Sequence, residues 1–357
     1  MSEIPMPLKG SAVHVDGPVV RSGVSRDELN VRRLFVTAVL ALFTAALSLS
    51  IRAATASTIK VDVLDRIDPF RSGEMIGSAL GVAFLGFAIT LFVTSPLLNR
   101  IGMGRLLNVA ALCFILGPLL MVIAPTIVPD GWIFNLIWVG MLLSGVGWGC
   151  TESAINPMTA ALYADEKTHR MNVLHAWWPA GLIVGGLLGF ALTQIAVDWR
   201  VVMLAPLLPA LGIMVLAAGQ RFPVTESVAM GIPTRDMLGE IFRRPSFFVW
   251  FMLMFGTAST ELAPGQWVDL ALTHIVGMRG ILLLVFVSGL MFVMRHFAGP
   301  LAHRLSPVGL LLMSSIFALA GLNLLSVASS PATAIAASAI WGIGVCYETC
   351  ARVGVAL

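Results

Sequence analysis

The chain has 357 residues, of which 58% are hydrophobic and only 11% charged. Soluble domains carry about 25% charged residues, so a chain this apolar is expected to use lipid as its solvent. The net charge of +3 is small, and the basic residues are spread over short polar stretches, which argues against nucleic-acid binding. All four cysteines lie inside apolar runs, so we predict no disulfide framework, no metal site and no cofactor.

Residues 1–31 are polar and lack the apolar core of a signal peptide, so we interpret them as a cytoplasmic tail. The rest of the chain is dominated by apolar runs. A membrane-spanning helix needs about 20 apolar residues. The runs that meet this length cover 34–56, 75–98, 106–126, 132–163, 172–196, 200–219, 246–273, 280–301, 308–328 and 332–356.

The polar stretch 220–245 divides these ten runs into six and four. We therefore predict an amino-terminal six-helix bundle over 32–219, a cytoplasmic linker over 220–245 and a partial bundle of four helices over 246–357. If the halves are repeats, two helices are missing from the second half. Because the sequence stops inside its tenth run, we expect a truncated or frame-disrupted product.

Loop charges predict the orientation of the chain in the membrane. With the amino terminus inside, fourteen basic residues fall in the inner tail and loops and five fall in the outer loops. We therefore predict a multi-pass protein of the cell (inner) membrane with a cytoplasmic amino terminus.

Four ionisable residues lie within the first, fourth, seventh and tenth runs: Arg52, Glu152, Glu261 and Glu348. An ionisable group at the bilayer centre costs at least about 2.5–3.5 kcal/mol, so such groups usually face a wet cavity or a partner. Their spacing of one per three helices predicts that these helices line a shared cavity. Buried ion pairs that hold the bundle together are the alternative, and a direct pair of Arg52 with Glu152 is allowed but not required.

The segment Glu152-Ser-Ala-Ile-Asn156-Pro157 adds polar groups next to one of these carboxylates. Pro157 has no N–H, so the carbonyl of Ser153 loses its helical partner. Asn156 lies one turn from Glu152 on the same helix face. A carboxylate, a free carbonyl and an amide together suit a hydroxyl-rich ligand, although an ordinary packing kink explains the proline equally well.

The seventh run contains Pro264-Gly265-Gln266-Trp267, which predicts a broken helix. Interrupted membrane helices often mark a binding site. Gln266 can hydrogen-bond a sugar hydroxyl, and Trp267 can stack on a sugar face or, alternatively, anchor the helix at the membrane interface.

The fifth run begins with His175 near its inner end and continues with glycines at every fourth position. His175 is a candidate for a proton or substrate role, or for an ordinary core histidine. The glycines, Gly181, Gly185 and Gly189, predict close helix contact. Arg295, in the eighth run, is expected to snorkel or to bridge helices.

A short segment is repeated in the two halves of the chain: Ser95-Pro-Leu-Leu-Asn-Arg-Ile101 and Gly299-Pro-Leu-Ala-His-Arg-Leu305. Each copy links two membrane-length runs, which indicates two similar halves in tandem. We predict gating and structural contacts for the polar and glycine residues of these links, namely Asn99, Arg100, Gly102, His303 and Arg304.

The first copy resembles the G-x-L-x-D-R-x-G loop of the major facilitator superfamily, with Asn99 and His303 in place of the acidic residue. Within that superfamily, Glu152 to Pro157 followed by Arg170-Met-Asn172 is similar to the fucose–proton symporter group. This resemblance implies that Glu152 serves sugar binding and proton coupling. The group's fifth-helix Gln and Asn positions fall on His175 and Trp178, and Arg52 occupies the neighbourhood of its first-helix aspartate.

The predicted fold is an all-α membrane protein of the major facilitator type, with two helical bundles of which the second is incomplete. The predicted function is proton-coupled uptake of a sugar or similar polyol by alternating access, with a small solute, protons and the bilayer as partners. A carrier for an organic anion such as a sugar acid is one alternative, favoured by Arg52 and His175 and opposed by three glutamates. A non-transporting membrane sensor or defective fragment is another, and no pattern indicates an enzyme.

Overall fold

The computed structural model describes residues 28–195, 197–233, 236, 239, 241, 243–304 and 307–356. Within these ranges the side chains of 168, 192–193, 296–304, 307–308, 310 and 347–356 are not described. The predictions made for Glu348, His303 and Arg304 therefore lie outside the described side chains.

Ten long helices and no strand occur in the described ranges. They are α1 (Val31–Ile59), α2 (Ser72–Ile101), α3 (Met103–Ile127), α4 (Asp130–Leu162), α5 (Lys167–Gln194), α6 (Trp199–Ala217), α7 (Pro245–Val276), α8 (Ile281–Arg304), α9 (Pro307–Ser326) and α10 (Pro331–Ala356). Six of these described helices precede the polar stretch 220–245 and four follow it, at the places of the ten apolar runs.

Seven of the described helices, α1 to α7, are long and apolar enough to cross a membrane. The described parts of α8, α9 and α10 that qualify as apolar are shorter, Ile281–Arg295, Leu311–Ser326 and Pro331–Cys346. Their full helices have 24, 20 and 26 residues, which matches the span of about 20 residues that a bilayer requires. The chain is an all-α, multi-pass membrane protein.

The first helix is fixed at both of its ends. The Asn30 side chain caps its start by accepting a hydrogen bond from the backbone N–H of Arg33 at 3.0 Å. Beyond Ile59 the helix continues as a π-helical stretch, Lys60–Leu64, and a short turn, Asp65–Ile67. Lys60 pairs with Asp65 at 2.8 Å across this irregular end, which ties the extension together.

Glycines allow the helices of the first half to approach closely. The doubled glycine pattern of α5 packs against α1, since a Cβ at Gly181 would lie 2.6 Å from the carbonyl oxygen of Phe43. On α4, a Cβ at Gly145 would overlap the backbone carbonyl of Ala83 on α2. The predicted role of Gly181, Gly185 and Gly189 in close helix contact is confirmed.

The predicted break in the seventh helix is wrong. The helix α7 runs without a break through Pro264 and Gly265. A membrane helix tolerates proline because only one backbone hydrogen bond is lost and neighbouring groups compensate, and here Gly265 packs beside Leu284 of α8. The sixth helix, in contrast, is interrupted: its pieces are Trp199–Met203 and Leu207–Ala217, and Pro206 precedes the second piece.

The linker after α6 docks on the junction of α2 and α3. This junction is the single residue Gly102, whose positive φ of 89° favours glycine. Thr225 donates its hydroxyl to the Asn99 side-chain oxygen at 2.7 Å, and the Phe222 ring lies against Gly104. The linker thus contacts the predicted gating segment through Asn99, whereas Arg100 is exposed.

Candidate functional site

Glu152 lies on α4 and is held by two neutral donors of its own helix. Its Oε2 accepts a hydrogen bond from Asn156 Nδ2 at 2.9 Å, and its Oε1 accepts a longer one from Trp148 Nε1 at 3.4 Å. Both donors are four residues away along the helix, which places all three side chains on one face. Among the described residues, no cation lies within ion-pairing distance of this carboxylate.

Asn156 extends this polar group from α4 to α5. Its side-chain oxygen lies 3.1 Å from Nε2 of His175. In the tautomer that carries the proton on Nε2, the imidazole donates to the amide oxygen, and the amide nitrogen donates to Glu152. The predicted candidates Glu152, Asn156 and His175 therefore form one hydrogen-bonded chain.

Arg295 of α8 joins this chain to the second half of the molecule. Its guanidinium donates from Nη1 to the backbone carbonyl of His175 at 3.0 Å and from Nη2 to Glu261 Oε1 at 3.2 Å. The side chains of Arg295 and Glu261 are 5% and 9% exposed, so this ion pair is buried. Arg295 bridges helices, which is one of the two roles that its position in the sequence allowed.

Aromatic rings surround the Glu152 carboxylate on the side of α2 and α5. The Trp148 indole is stacked on Phe87 with ring centroids 4.0 Å apart and on Trp178 with centroids 5.0 Å apart. Three stacked rings fix the orientation of Trp148, whose N–H reaches the glutamate. Sequence reasoning missed Trp148, although its position four residues before Glu152 was a usable signal.

A small cavity with room for roughly one water molecule lies between the two halves. Its lining comes from α1, α5, α7, α8 and α10 and consists of Leu49, Trp178, Leu182, Glu261, Leu262, Gly265, Leu284, Val287, Met291, Trp341 and Val345. Of the four ionisable residues predicted to line a shared cavity, only Glu261 does so among the described side chains. Arg52 and Glu152 do not line this cavity: α1 contributes Leu49 to it, and Glu152 is hydrogen-bonded to Asn156 and Trp148.

Arg52 is 2% exposed. Its Nη1 donates a hydrogen bond to the Ser48 hydroxyl oxygen at 3.3 Å. Its Nε has no hydrogen-bond partner within the described part of the chain. The structure does not pair Arg52 with Glu152, so the ion pair that the sequence left open is absent from the described residues.

Gln266 and Trp267 occupy different surroundings on α7. Gln266 is fully buried, and neither of its side-chain polar atoms has a partner among the described residues. Trp267 is partly buried and packs its ring against Gly77 of α2, where a Cβ would lie 3.2 Å from the indole. The Trp267 ring therefore forms a contact between the two halves in this conformation.

A second ion pair, with a buried carboxylate, lies near the carboxyl end of α7 and was missed from the sequence. Arg279 donates to Asp269 Oδ2 at 3.1 Å and also to the backbone carbonyl of Ala54 on α1 at 3.3 Å. Asp269 is 1% exposed and also accepts a hydrogen bond from the backbone N–H of Ile281 at 2.9 Å. The signal was present, since an aspartate in an apolar run was followed by an arginine in the next loop.

The described residues hold no group of three or more metal-ligating side chains. The site is instead a connected series of polar side chains that runs from α4 in the first half to α7 and α8 in the second half. It comprises a carboxylate with neutral partners on α4, an amide, an imidazole, and a buried ion pair on α7 and α8. Such groups can hold a proton and bind hydroxyl or carboxyl groups of a small solute.

The sequence profile of the Major Facilitator Superfamily matches residues 34–352. The chain belongs to this superfamily, whose members are membrane transporters. No curated protein sequence matches the chain significantly.

The fold of this chain is similar to solved structures of sugar transporters. A D-xylose–proton symporter superposes with a TM-score of 0.67 at 14% identity, covering 91% of this chain and 86% of that protein. The xylose transporter XylE from E. coli gives 0.66 at 13% identity, covering 91% and 87%. The E. coli fucose–proton symporter FucP gives 0.59 at 14% identity, covering 88% and 82%. At these identities the similarity establishes the fold alone.

Proposed function

We propose that the protein imports a sugar or similar polyol together with protons, by alternating access. The observation that carries this proposal is Glu152, a carboxylate inside a membrane-spanning helix whose recorded partners are the neutral side chains Trp148 and Asn156. An intramembrane carboxylate without a counter-ion is costly when charged and much less so when protonated. The proton–sugar symporters named above have the same fold, which supports the proposal.

In this mechanism Glu152 takes up a proton when the site is open to the outside and releases it when the site is open to the inside. Asn156 and His175 position the carboxylate and offer hydrogen-bonding groups to the hydroxyls of a bound solute. Protonation neutralises the Glu152 carboxylate and so removes a charge from the bilayer interior. The closed state that carries both solute and proton is therefore favoured over a closed state in which Glu152 is charged.

Alternating access requires the bundle over 32–219 to rock against the bundle over 246–357. The contacts of Arg295 with the His175 carbonyl and of Arg279 with the Ala54 carbonyl both join these two bundles. The first must break when the site opens toward the end of α5 that carries His175, and the second when it opens toward the α7–α8 loop. The small central cavity fits a closed conformation between these two openings.

We also propose that the protein lies in the cell (inner) membrane with its amino terminus and its 220–245 linker in the cytoplasm. The excess of basic residues in the loops on that side supports this orientation. A reporter fused near Arg235 should give a cytoplasmic signal, and an external signal would overturn the proposed topology.

The function is tested by uptake into proteoliposomes that contain the purified protein. A panel of radiolabelled sugars, sugar acids and polyols is offered with and without an inward proton gradient. We expect at least one solute to accumulate only with the gradient. Absence of uptake for every solute would overturn the proposal and support the alternative of a non-transporting sensor or defective fragment.

The role of Glu152 is tested in the same assay with Glu152→Gln. Glutamine keeps the shape and hydrogen bonding but cannot carry a proton, so we expect loss of gradient-driven uptake with solute exchange retained. Glu74→Gln, an exposed glutamate at the start of α2, is the matched control and should behave as wild type. Normal gradient-driven uptake by Glu152→Gln would contradict the coupling role.

A further inference from the structure

The buried charges of the described chain are unevenly compensated. Glu261 is paired with Arg295 and Asp269 with Arg279, each with oxygen and nitrogen atoms within 3.2 Å. Arg52 remains as a buried cation with no carboxylate within ion-pairing distance among the described residues.

This isolation is unusual because buried charges in proteins are normally paired, above all inside a membrane. The recorded partner of Arg52 is the hydroxyl of Ser48, which is a neutral group. Ser48 can orient the guanidinium but cannot neutralise it. The position therefore has the charge and the unused donor capacity that a carboxylate ligand requires.

Gln266 supplies a second set of unused polar atoms. Both its amide nitrogen and its amide oxygen are buried without a hydrogen-bond partner in the described part of the chain. A buried amide whose nitrogen and oxygen both lack hydrogen bonds is unfavourable. Such an amide therefore indicates a position where a bound ligand supplies the missing hydrogen bonds.

A bridge between α1 and α7 shows that Arg52 and Gln266 lie at a similar depth. Arg279 joins Asp269 of α7 to the carbonyl of Ala54 on α1 and so fixes the relative level of the two helices. At about 1.5 Å per residue, Arg52 lies about 3 Å and Gln266 about 4.5 Å inward of this bridge. Two residues that line the central cavity lie near them in sequence: Leu49 is three residues from Arg52, and Gly265 precedes Gln266.

We infer that Arg52 and Gln266 recognise the acid group of the substrate, which makes the transported solute a sugar acid or a related hydroxy carboxylate rather than a neutral sugar. The guanidinium donates to both carboxylate oxygens, and the glutamine amide binds the neighbouring hydroxyl. The polyol part of the solute extends into the cavity toward Glu261 and Trp178. This inference rests on the proposed transport function and specifies its substrate class.

The inference is tested first on the wild-type protein by calorimetric binding of three ligands with the same ring. D-Glucuronate, its neutral amide D-glucuronamide and D-glucose are compared at one pH and ionic strength. We expect glucuronate to bind at least tenfold more tightly than either neutral ligand. Equal affinities for the three, or tighter binding of the neutral ligands, would overturn the inference.

Two variants test which residues cause the preference for glucuronate over the neutral ligands. In Arg52→Gln the advantage of glucuronate over glucuronamide should disappear, and in Gln266→Leu affinity for all three ligands should fall. Arg71→Gln, which removes an exposed cation at the start of α2, is the matched control and should keep the wild-type preference. If Arg52→Gln keeps the preference, the acid group binds elsewhere and the assignment is wrong.

The same experiments separate this inference from the proposed function. Gradient-driven uptake of glucose without any glucuronate binding would leave the transport function standing and overturn the substrate class. Glucuronate binding without proton-driven uptake would support the acid site and contradict the coupling mechanism. Absence of binding and of uptake for every ligand would overturn both.

Discussion

The first helices of the two halves, α1 and α7, are packed very differently. In the most apolar part of each helix, 72% of the residues are buried in α1 and 6% in α7. The helix α1 packs against α4, α5, α6 and α7, whereas α7 packs mainly against α1, α8, α9 and α10 and touches α2 through Trp267. The amino-terminal part of α7, from Phe247 to Phe255, is exposed in this structure and suits contact with lipid or with another apolar surface.

The polar chemistry of the two halves differs as well. In the first half the intramembrane ionisable groups Arg52 and Glu152 have neutral recorded partners. In the second half the buried carboxylates Glu261 and Asp269 are each paired with an arginine. We propose that Glu152 carries the proton and Arg52 binds the acid group of the solute, and that the ion pairs of the second half hold the structure together.

The largest expected effect on stability is at Asp269. Removing one partner of a buried ion pair leaves the other charge uncompensated, which costs about 3–5 kcal/mol. Asp269→Ala strands Arg279 and also removes the acceptor for the Ile281 N–H. We expect a sharp fall of the unfolding midpoint in detergent, with the exposed Asp130→Ala as the control. An unchanged midpoint would show that this pair does not hold the second half.

A smaller effect is expected where the first half relies on close packing. Gly145→Ala places a methyl group on the backbone of Ala83 and should destabilise the α2–α4 contact by about 1–3 kcal/mol. Gly81→Ala on α2, where the methyl group meets no atom within 4 Å, is the control. Equal unfolding midpoints for the two variants would contradict the packing described here.

The coupling between Glu261 and Arg295 should be measurable as a double-mutant cycle. Glu261→Gln and Arg295→Gln are each expected to destabilise the protein, and the double variant less than the sum of the two. Residues in direct contact show interaction energies of about 0.5–3 kcal/mol. Strict additivity of the unfolding free energies would mean that the 3.2 Å pair contributes nothing to stability.

The sequence predicted the helices well because a membrane span needs a long apolar run, which is a local property. It also indicated that Glu152 and Asn156 share a face, since residues four apart on a helix are neighbours. It could not show that Glu261 meets Arg295, because that contact depends on how α7 packs against α8. The predicted break at Pro264 was wrong for a similar reason, since the surroundings of α7 decide whether the helix continues.

The smallest effect is expected for an exposed pair at the membrane surface. Arg71 and Glu74 are 67% and 72% exposed and lie 3.4 Å apart at the start of α2. Exposed pairs contribute roughly 0–1 kcal/mol, so Arg71→Ala should shift the unfolding midpoint only slightly. A shift as large as that of Asp269→Ala would mean that surface charges, and not the buried pairs, hold this protein together.

The contrast between the halves is tested most directly by measuring proton movement in three proteins. Proteoliposomes with a trapped pH-sensitive dye report proton entry when a transported solute is added outside. We expect solute-driven proton entry for the wild type and for the double variant Glu261→Gln with Arg295→Gln, and none for Glu152→Gln. Proton entry by Glu152→Gln together with its loss in the double variant would contradict the account and assign proton coupling to the second half.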